Sequence, residues 1–300
     1  MMPSTKLKTT PKLNWRFAAL GTEWEIVTDT PLLETAKASV VKTIENFDKT
    51  YSRFRKDSLV YAISKAEGEY IFPENARDVF DFYEDLYEIS NGYVTPLIGA
   101  TLEDMGYDSS YSLRPNSSIR ITPKLSVLDR RANTITVNQP VVIDIGAAGK
   151  GYLVDLVVEQ LISYGHKDFV VDASGDMRCV GKKLERVGLE NPLNTNEVLG
   201  VVPLQNKALA ASATNRRAWQ GLHHIIDPKT SKPVDGVIAT WVIADTAMIA
   251  DGLATALFFC DQKQLAKRYT YEYMLIRKNG EVEYSDFFRK GVAGDLSGTI

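Results

Sequence analysis

The chain has 300 residues, of which 44% are hydrophobic and 24% charged, and its net charge is −3. That is the profile of an ordinary globular protein with enough chain for one large domain or two small ones. The charge argues against a nucleic-acid-binding face, and no stretch approaches the 18 apolar residues of a membrane-spanning helix. Residues 1–13 are polar, with Lys, Thr and Pro, and read as a flexible arm before a single unit over 14–300. Residues 17–27 read as two short strands around a Gly21-Thr22 step, with Trp24 and Ile26 alternating with Glu23 and Glu25. From 31 to 51, Leu33, Ala36, Val40, Ile44 and Phe47 recur at helical spacing, with Pro31 in the first turn. Residues 51–58 form a polar turn.

A second helix is expected over 73–90, with Val79, Phe80, Tyr83, Leu86 and Tyr87 on its apolar face and Gly92 as its stop. Residues 106–118 read as loop. Strands are expected at 133–138, 140–145 and 169–172, and a helix at 150–164 carries Leu153, Val154, Val157, Val158 and Leu161 on one side. The strand–helix–strand order at 140–172 predicts two parallel strands. Further strands at 199–204, 207–212, 239–244, 271–277 and 281–284 and a helix at 245–259 complete the chain. Long helices and many strands without a repeating βα rhythm predict an α+β fold, with mixed sheets and packed helices. The two cysteines, Cys179 and Cys260, lie far apart, make no framework and read as buried thiols. The N-terminal basic residues are followed by no apolar region, no small-residue cleavage site and no lipid-accepting cysteine, so a cytoplasmic location is the expectation.

Four segments carry chemistry. Asp144-Ile145-Gly146-Ala147-Ala148-Gly149-Lys150-Gly151 follows the apolar run 141–143 and opens a helix. Three glycines and a lysine at such a turn let backbone amides approach a phosphate, with a cation nearby. Its pattern is neither G-x-G-x-x-G nor Walker A, and alone it is equally a turn whose glycines relieve crowding. In Ala250-Asp251-Gly252-Leu253-Ala254-Thr255, a carboxylate and a hydroxyl four residues apart share one helix face. That is a partial oxygen set for Mg²⁺, or else a solvated acid and a hydroxyl bonded to the preceding turn. In His223-His224-Ile225-Ile226-Asp227-Pro228, adjacent histidines on an extended strand point to opposite faces, so one faces a site. Asp172-Ala173-Ser174-Gly175-Asp176 reads as a tight hairpin turn bearing two acids.

Taken in order, these segments resemble the ApbE family of Mg²⁺-dependent FAD:protein FMN transferases. The matching pieces are Leu20-Gly21-Thr22; Tyr51-Ser52-Arg53-Phe54 with Asp57-Ser58; Asp144 to Ala147 with Lys150-Gly151-Tyr152 and Asp155; Ser174-Gly175-Asp176; Ala210 to Ala213; His224 to Pro228; and Ala250 to Thr255. The resemblance implies a T-fold-related single catalytic unit with the FAD site in a cleft between two subdomains. It implies cleavage of FAD, attachment of FMN through a phosphoester to a Thr or Ser of a target protein, and release of AMP. Alternatives in the same pocket are a Mg²⁺-dependent FAD pyrophosphatase and a non-catalytic flavin carrier.

The residue roles it implies are these. Asp251, Thr255 and the carbonyl of Ala147 hold Mg²⁺. His224 is the base and Lys150 a catalytic cation. Leu20, Phe54, Tyr93, Val94, Thr95, Asp144, Lys150, Ser212 and Ile226 contact FAD. Departures from the family pattern are Thr95 for an aspartate, Ala173-Ser174 for a glycine pair, and Ala213 and Ser231 for glycines. The C-terminal Asp295-Leu296-Ser297-Gly298-Thr299 faintly resembles the family's Asp/Ser/Thr-Gly acceptor motif, so Ser297 or Thr299 is a candidate for self-modification.

Overall fold

A computed structural model describes residues 13–291. The proposed arm, apart from Leu13, and the C-terminal acceptor-like motif lie outside the described residues. The chain opens with a hairpin of β1 (Leu13–Ala19) and β2 (Thr22–Thr28), in which Trp24, Ile26 and Thr28 are buried and their neighbours are not. Helix α1 (Glu34–Tyr51) buries Ala36, Val40, Phe47 and Tyr51. Helix α2 (Leu59–Ile63) begins at Ser58, whose hydroxyl accepts from the Tyr61 amide. After β3 (Gly68–Ile71), helix α3 (Ala76–Ile89) buries Val79, Phe80, Phe82, Tyr83 and Leu86. The short helix α4 (Gly99–Asp104) precedes β4 (Leu128–Arg131) and β5 (Thr134–Val137), which form a small antiparallel sheet with β3.

The second half runs through α5 (Gly149–Ser163), β6 (Phe169–Asp172), β7 (Asp176–Val180) and the hairpin β8 (Glu185–Asn191) and β9 (Asn194–Leu204). It continues with β10 (Ala208–Ala213) and two small ribbons, β11 (Ala218–Trp219) with β12 (Leu222–His223) and β13 (Ile226–Asp227) with β14 (Lys232–Pro233). Strand β15 (Val237–Ala244), helices α6 (Ala247–Ala256) and α7 (Gln262–Leu265), strands β16 (Glu272–Arg277) and β17 (Val282–Tyr284), and helix α8 (Asp286–Gly291) complete it.

Eight strands form one sheet in the order β1-β2-β6-β7-β10-β15-β16-β17, and every pairing in it is antiparallel. One face packs on α1, α3, α5 and α6 through a core that includes Ile26, Val40, Leu86, Leu153, Val171 and Leu253. The other face buries Cys179, Leu209, Trp241 and Ile276 against Leu189 and Val202 of the β8–β9 hairpin and Phe288 of α8. Strand β15 is therefore covered on both sides, which is why its sequence is a near-continuous apolar run rather than an alternation. The observed class is α+β, as the sequence predicts.

One expectation fails. Residues 140–145 are not a strand, and no parallel pair exists in the sheet that holds β6. The alternation is real, since Val141, Ile143 and Ile145 are buried. Its backbone bonds, however, go to two unrelated places: the Val141 amide donates to the Ile63 carbonyl, and the Asp144 amide to the Pro96 carbonyl. An extended segment bonded this way has the side-chain pattern of a strand without its ladder.

Helices α5 and α6 approach closely because Gly151 lacks a side chain. A Cβ there would stand 2.1 Å from the Ala247 carbonyl oxygen and 2.8 Å from Asp251 Cβ. Asp155 of α5 caps the start of α6, accepting from the Ala247 and Met248 amides at 3.0 and 2.8 Å. This contact fixes where Asp251 and Thr255 stand relative to the loop that opens α5.

Candidate functional site

The loop at 144–148 is built by its own side chains and by three distant elements. Asp144 Oδ1 accepts from the Gly146 amide at 2.6 Å, and Asp144 Oδ2 from Arg53 Nε at 2.5 Å. Burial alone would raise the Asp144 carboxyl, but the Arg53 charge and hydrogen bond, with the Gly146 amide, lower it below the usual range. The Ala148 amide donates to the hydroxyl of fully buried Tyr83 at 3.2 Å.

Helix α6 meets this loop directly. Thr255 Oγ1 donates to the Ala147 carbonyl at 3.2 Å, and Asp251, one turn earlier on the same face, accepts from the Gly151 amide at 2.9 Å. The Asp251 carboxyl is raised well above the usual carboxylate range, first by burial and then by the neighbouring Asp176 charge. Asp176 is 1% exposed, and neither of its carboxyl oxygens accepts a hydrogen bond among the described residues. Lys150 Nζ lies 3.1 Å from Asp176 Oδ2 without hydrogen-bond alignment, and it donates to the Ala173 and Ser174 carbonyls at 3.1 and 3.4 Å. The ammonium thus ties the start of α5 to the β6–β7 turn, and its three donors face three acceptors there. Two buried carboxyl groups, Asp176 and Asp251, thus lie near one lysine.

His224 follows β12, and its amide donates to the Arg217 carbonyl at 3.3 Å. Its ring is half-buried, and Nδ1 is shut off from solvent with no hydrogen-bond partner. Burial, then the Arg217 charge, push its pKa down to about 3, so the ring is neutral at pH 7. The charges of Arg217 and Asp144 both act on its titration. His223 Nε2 lies 3.1 Å from the Val234 carbonyl oxygen.

An aromatic cluster adjoins this group. Phe54 packs against Tyr107 and stacks on Tyr111, with ring centroids 5.6 and 5.5 Å away, and the Arg53 guanidinium lies 4.1 Å over its ring. Ile226 is buried with Tyr107, Trp219, Leu102 and Met105, and Phe54 lines the same cluster. Arg53 therefore links the aromatic cluster to Asp144. Tyr93 stacks on Phe259 at 5.7 Å, under Lys229 Nζ at 3.7 Å. Val94 and Thr95 are buried, and the Thr95 hydroxyl caps the turn at 96–98, whose Pro96 carbonyl accepts from the Asp144 amide.

Asp144, Ala147, Lys150, Asp251 and Thr255 are thus brought together, with Phe54 and Ile226 joined to them through Arg53. Leu20 forms the β1–β2 turn at φ +49°, and Ser212 sits on β10 opposite Thr240. Neither has a side-chain bond to this group among the described residues. Arg53, Tyr83, Asp176 and Arg217 carry no role in the sequence reading. Arg53 and Asp176 lie inside motifs singled out there, whereas the inward hydroxyl of Tyr83 has no sequence signal beyond its apolar helix face.

The ApbE family model matches residues 20–275. The chain is 31% identical over 192 residues to a FAD:protein FMN transferase of Rhodobacter capsulatus, covering 58% of this chain and 36% of that protein. It is 33% identical over 167 residues to a FAD:protein FMN transferase of Haemophilus influenzae, covering 50% of this chain and 48% of that protein. The matched stretches therefore span about a third and a half of these curated relatives. In structure, the chain is similar to the ApbE protein of Thermotoga maritima, with a TM-score of 0.82, 24% identity and coverage of 95% and 100% of the two chains. It is also similar to the flavin transferase ApbE of Vibrio cholerae, with a TM-score of 0.79, 20% identity and coverage of 94% and 99%. At these identities the structural likeness concerns the fold, and with the family match over most of its length it shows that the chain belongs to the ApbE family.

Proposed function

We infer that this chain is a Mg²⁺-dependent FAD:protein FMN transferase, which attaches FMN through a phosphoester to a Thr or Ser of a target protein and releases AMP. The observation that carries the reading is the meeting of the Thr255 hydroxyl with the Ala147 carbonyl, one helical turn from the buried Asp251 carboxyl bonded to the Gly151 amide. The names of the Rhodobacter and Haemophilus relatives support it.

The donor set fits Mg²⁺: it is all oxygen, it holds a buried carboxylate raised by a second carboxylate, and it leaves positions for water and phosphate. Mg²⁺ held by Ala147, Asp251 and Thr255 would polarise the pyrophosphate and offset its negative charge. The remaining work falls to the chain. Phe54 and Ile226, with Tyr107 and Trp219, offer an apolar and aromatic wall for a flat ring system. Tyr93, Val94 and Thr95 support the loop that presents Asp144. Lys150 keeps the β6–β7 turn and Asp176 against α5, with its charge directed at the same pocket. Leu20 and Ser212 line the approaches in this reading. His224, neutral at pH 7, accepts the proton of the acceptor hydroxyl.

His224→Ala tests the assignment. Transfer is expected to fall about 10²–10⁴-fold, while FAD binding, followed by quenching of flavin fluorescence, persists. An undiminished rate of AMP release would remove His224 from the role.

A further inference from the structure

Arg217 stands out among the cations around the site. It lies one residue before β11, where the register pairs Ala218 with His223. Extending that register by one residue sets Arg217 opposite His224, and the bond from the His224 amide to the Arg217 carbonyl closes this pair. Residues directly opposite across two strands project to the same face. The Arg217 guanidinium accordingly lies over the site, 5.9 Å from the Tyr107 ring centroid. Its neighbour Arg216 points the other way and pairs with Glu190 of the β8–β9 hairpin at 3.0 Å.

The two arginines at Tyr107 differ in what balances them. Arg53 is buried and its charge is met by Asp144 at 2.5 Å and Glu103 at 3.8 Å, with Nη1 and Nη2 making no hydrogen bond among the described residues. Arg217 is exposed and has no ion-pair partner among the described residues. Its charge nevertheless acts on His224, Asp144 and Asp251, which places it within electrostatic reach of all three. An unmatched guanidinium over the Tyr107 ring and opposite His224 suits a planar, bidentate contact to phosphate oxygens.

We propose that Arg217 is a further catalytic residue that binds the phosphate oxygens of the FAD pyrophosphate on the His224 side and offsets the charge developing there during transfer. The proposal rests on the transferase reading. In the step it serves, the acceptor hydroxyl oxygen bonds to the phosphorus of the FMN half, and the bond from that phosphorus to the bridging oxygen breaks. AMP leaves with the bonding electron pair, and the hydroxyl proton passes to His224 and on to solvent.

Arg217→Ala, Arg217→Lys and, as a control, Arg216→Ala decide the matter, with FAD and riboflavin as paired binding probes in the presence of Mg²⁺ and an acceptor peptide added where AMP release is followed. Riboflavin has the flavin ring and no phosphate. The expected result for Arg217→Ala is a roughly tenfold loss of FAD affinity with riboflavin affinity unchanged, and AMP release at saturating FAD reduced about 10²–10³-fold. Arg217→Lys should recover part of the affinity, since it restores the charge and not the fork. Free guanidinium should recover part of the rate of Arg217→Ala, and Arg216→Ala should behave as wild type. Unchanged FAD affinity in Arg217→Ala, or equal losses for FAD and riboflavin, would overturn the proposal. Should wild type bind FAD and release no AMP even with an acceptor peptide present, the transferase reading fails, while the FAD-to-riboflavin ratio still decides the phosphate contact.

Discussion

Asp251 is a carboxylate held where its charge is disfavoured, by burial and by Asp176. In the metal-free chain this is a cost that function requires. Below the ordinary carboxylate range Asp251 is protonated in folded and unfolded chains alike and costs nothing. As pH rises through that range the unfolded chain ionises first, so stability is lost towards neutral pH. Asp251→Asn keeps an acceptor for the Gly151 amide and removes the charge. It is therefore expected to stabilise the metal-free protein by about 1–3 kcal/mol at pH 7, with the gain shrinking as pH falls. It should also abolish the rise in melting temperature on adding Mg²⁺, which a site filled to 100 times its Kd would set at about 2.7 kcal/mol in wild type. Thermal melts with and without Mg²⁺ at two pH values check both. Two departures from the family pattern also acquire a physical sense at this scale. Ser174 and Ser231 stand where the family has glycine, and both adopt left-handed backbone, with φ of +57° and +53°. The turns keep a glycine-like conformation although the residues changed.

At the scale of elements, the site depends on how near α6 comes to α5. Gly151→Ala places a methyl 2.1 Å from the Ala247 carbonyl oxygen, and backbone on backbone has little room to yield. The expected cost is about 1–3 kcal/mol, with FAD affinity reduced because Asp251 and Thr255 move off the loop. A denaturation midpoint measured beside FAD affinity tests this, and wild-type values for both would refute the close-approach account. The elements themselves were largely legible in the sequence. The apolar spacing of α1, α3 and α5 and the alternation at Trp24 and Ile26 reflect which faces are buried, and burial is what periodicity records. The segment at 140–145 alternates like a strand and is not one, because alternation does not tell where backbone bonds go, and here they go to Ile63 and Pro96. The two-residue strands β11 to β14 are too short to carry any period.

For the whole molecule, the site is an assembly of segments far apart in sequence. Arg53 reaches Asp144 across 91 residues, Tyr83 reaches Ala148 across 65, and Asp251 reaches Gly151 across 100. Motif order pointed to Asp144, His224, Asp251 and Thr255, because each brings a chemically distinctive side chain. It gave no role to Tyr83 or Arg217, whose contribution lies in what the fold sets beside them. Lys150 is engaged by the turn at 173–176, a partner that spacing does not reveal. Among the described residues no helix is long and apolar enough to cross a membrane. The central claim is that this assembly moves FMN to a protein hydroxyl rather than to water. The direct measurement is AMP release from FAD and Mg²⁺ with and without a peptide bearing the family's Asp/Ser/Thr-Gly acceptor motif, followed by the intact mass of the peptide. The account predicts AMP that depends on the peptide, with one FMN gained by its Thr or Ser. AMP released equally without peptide, or no AMP in either case, would contradict it.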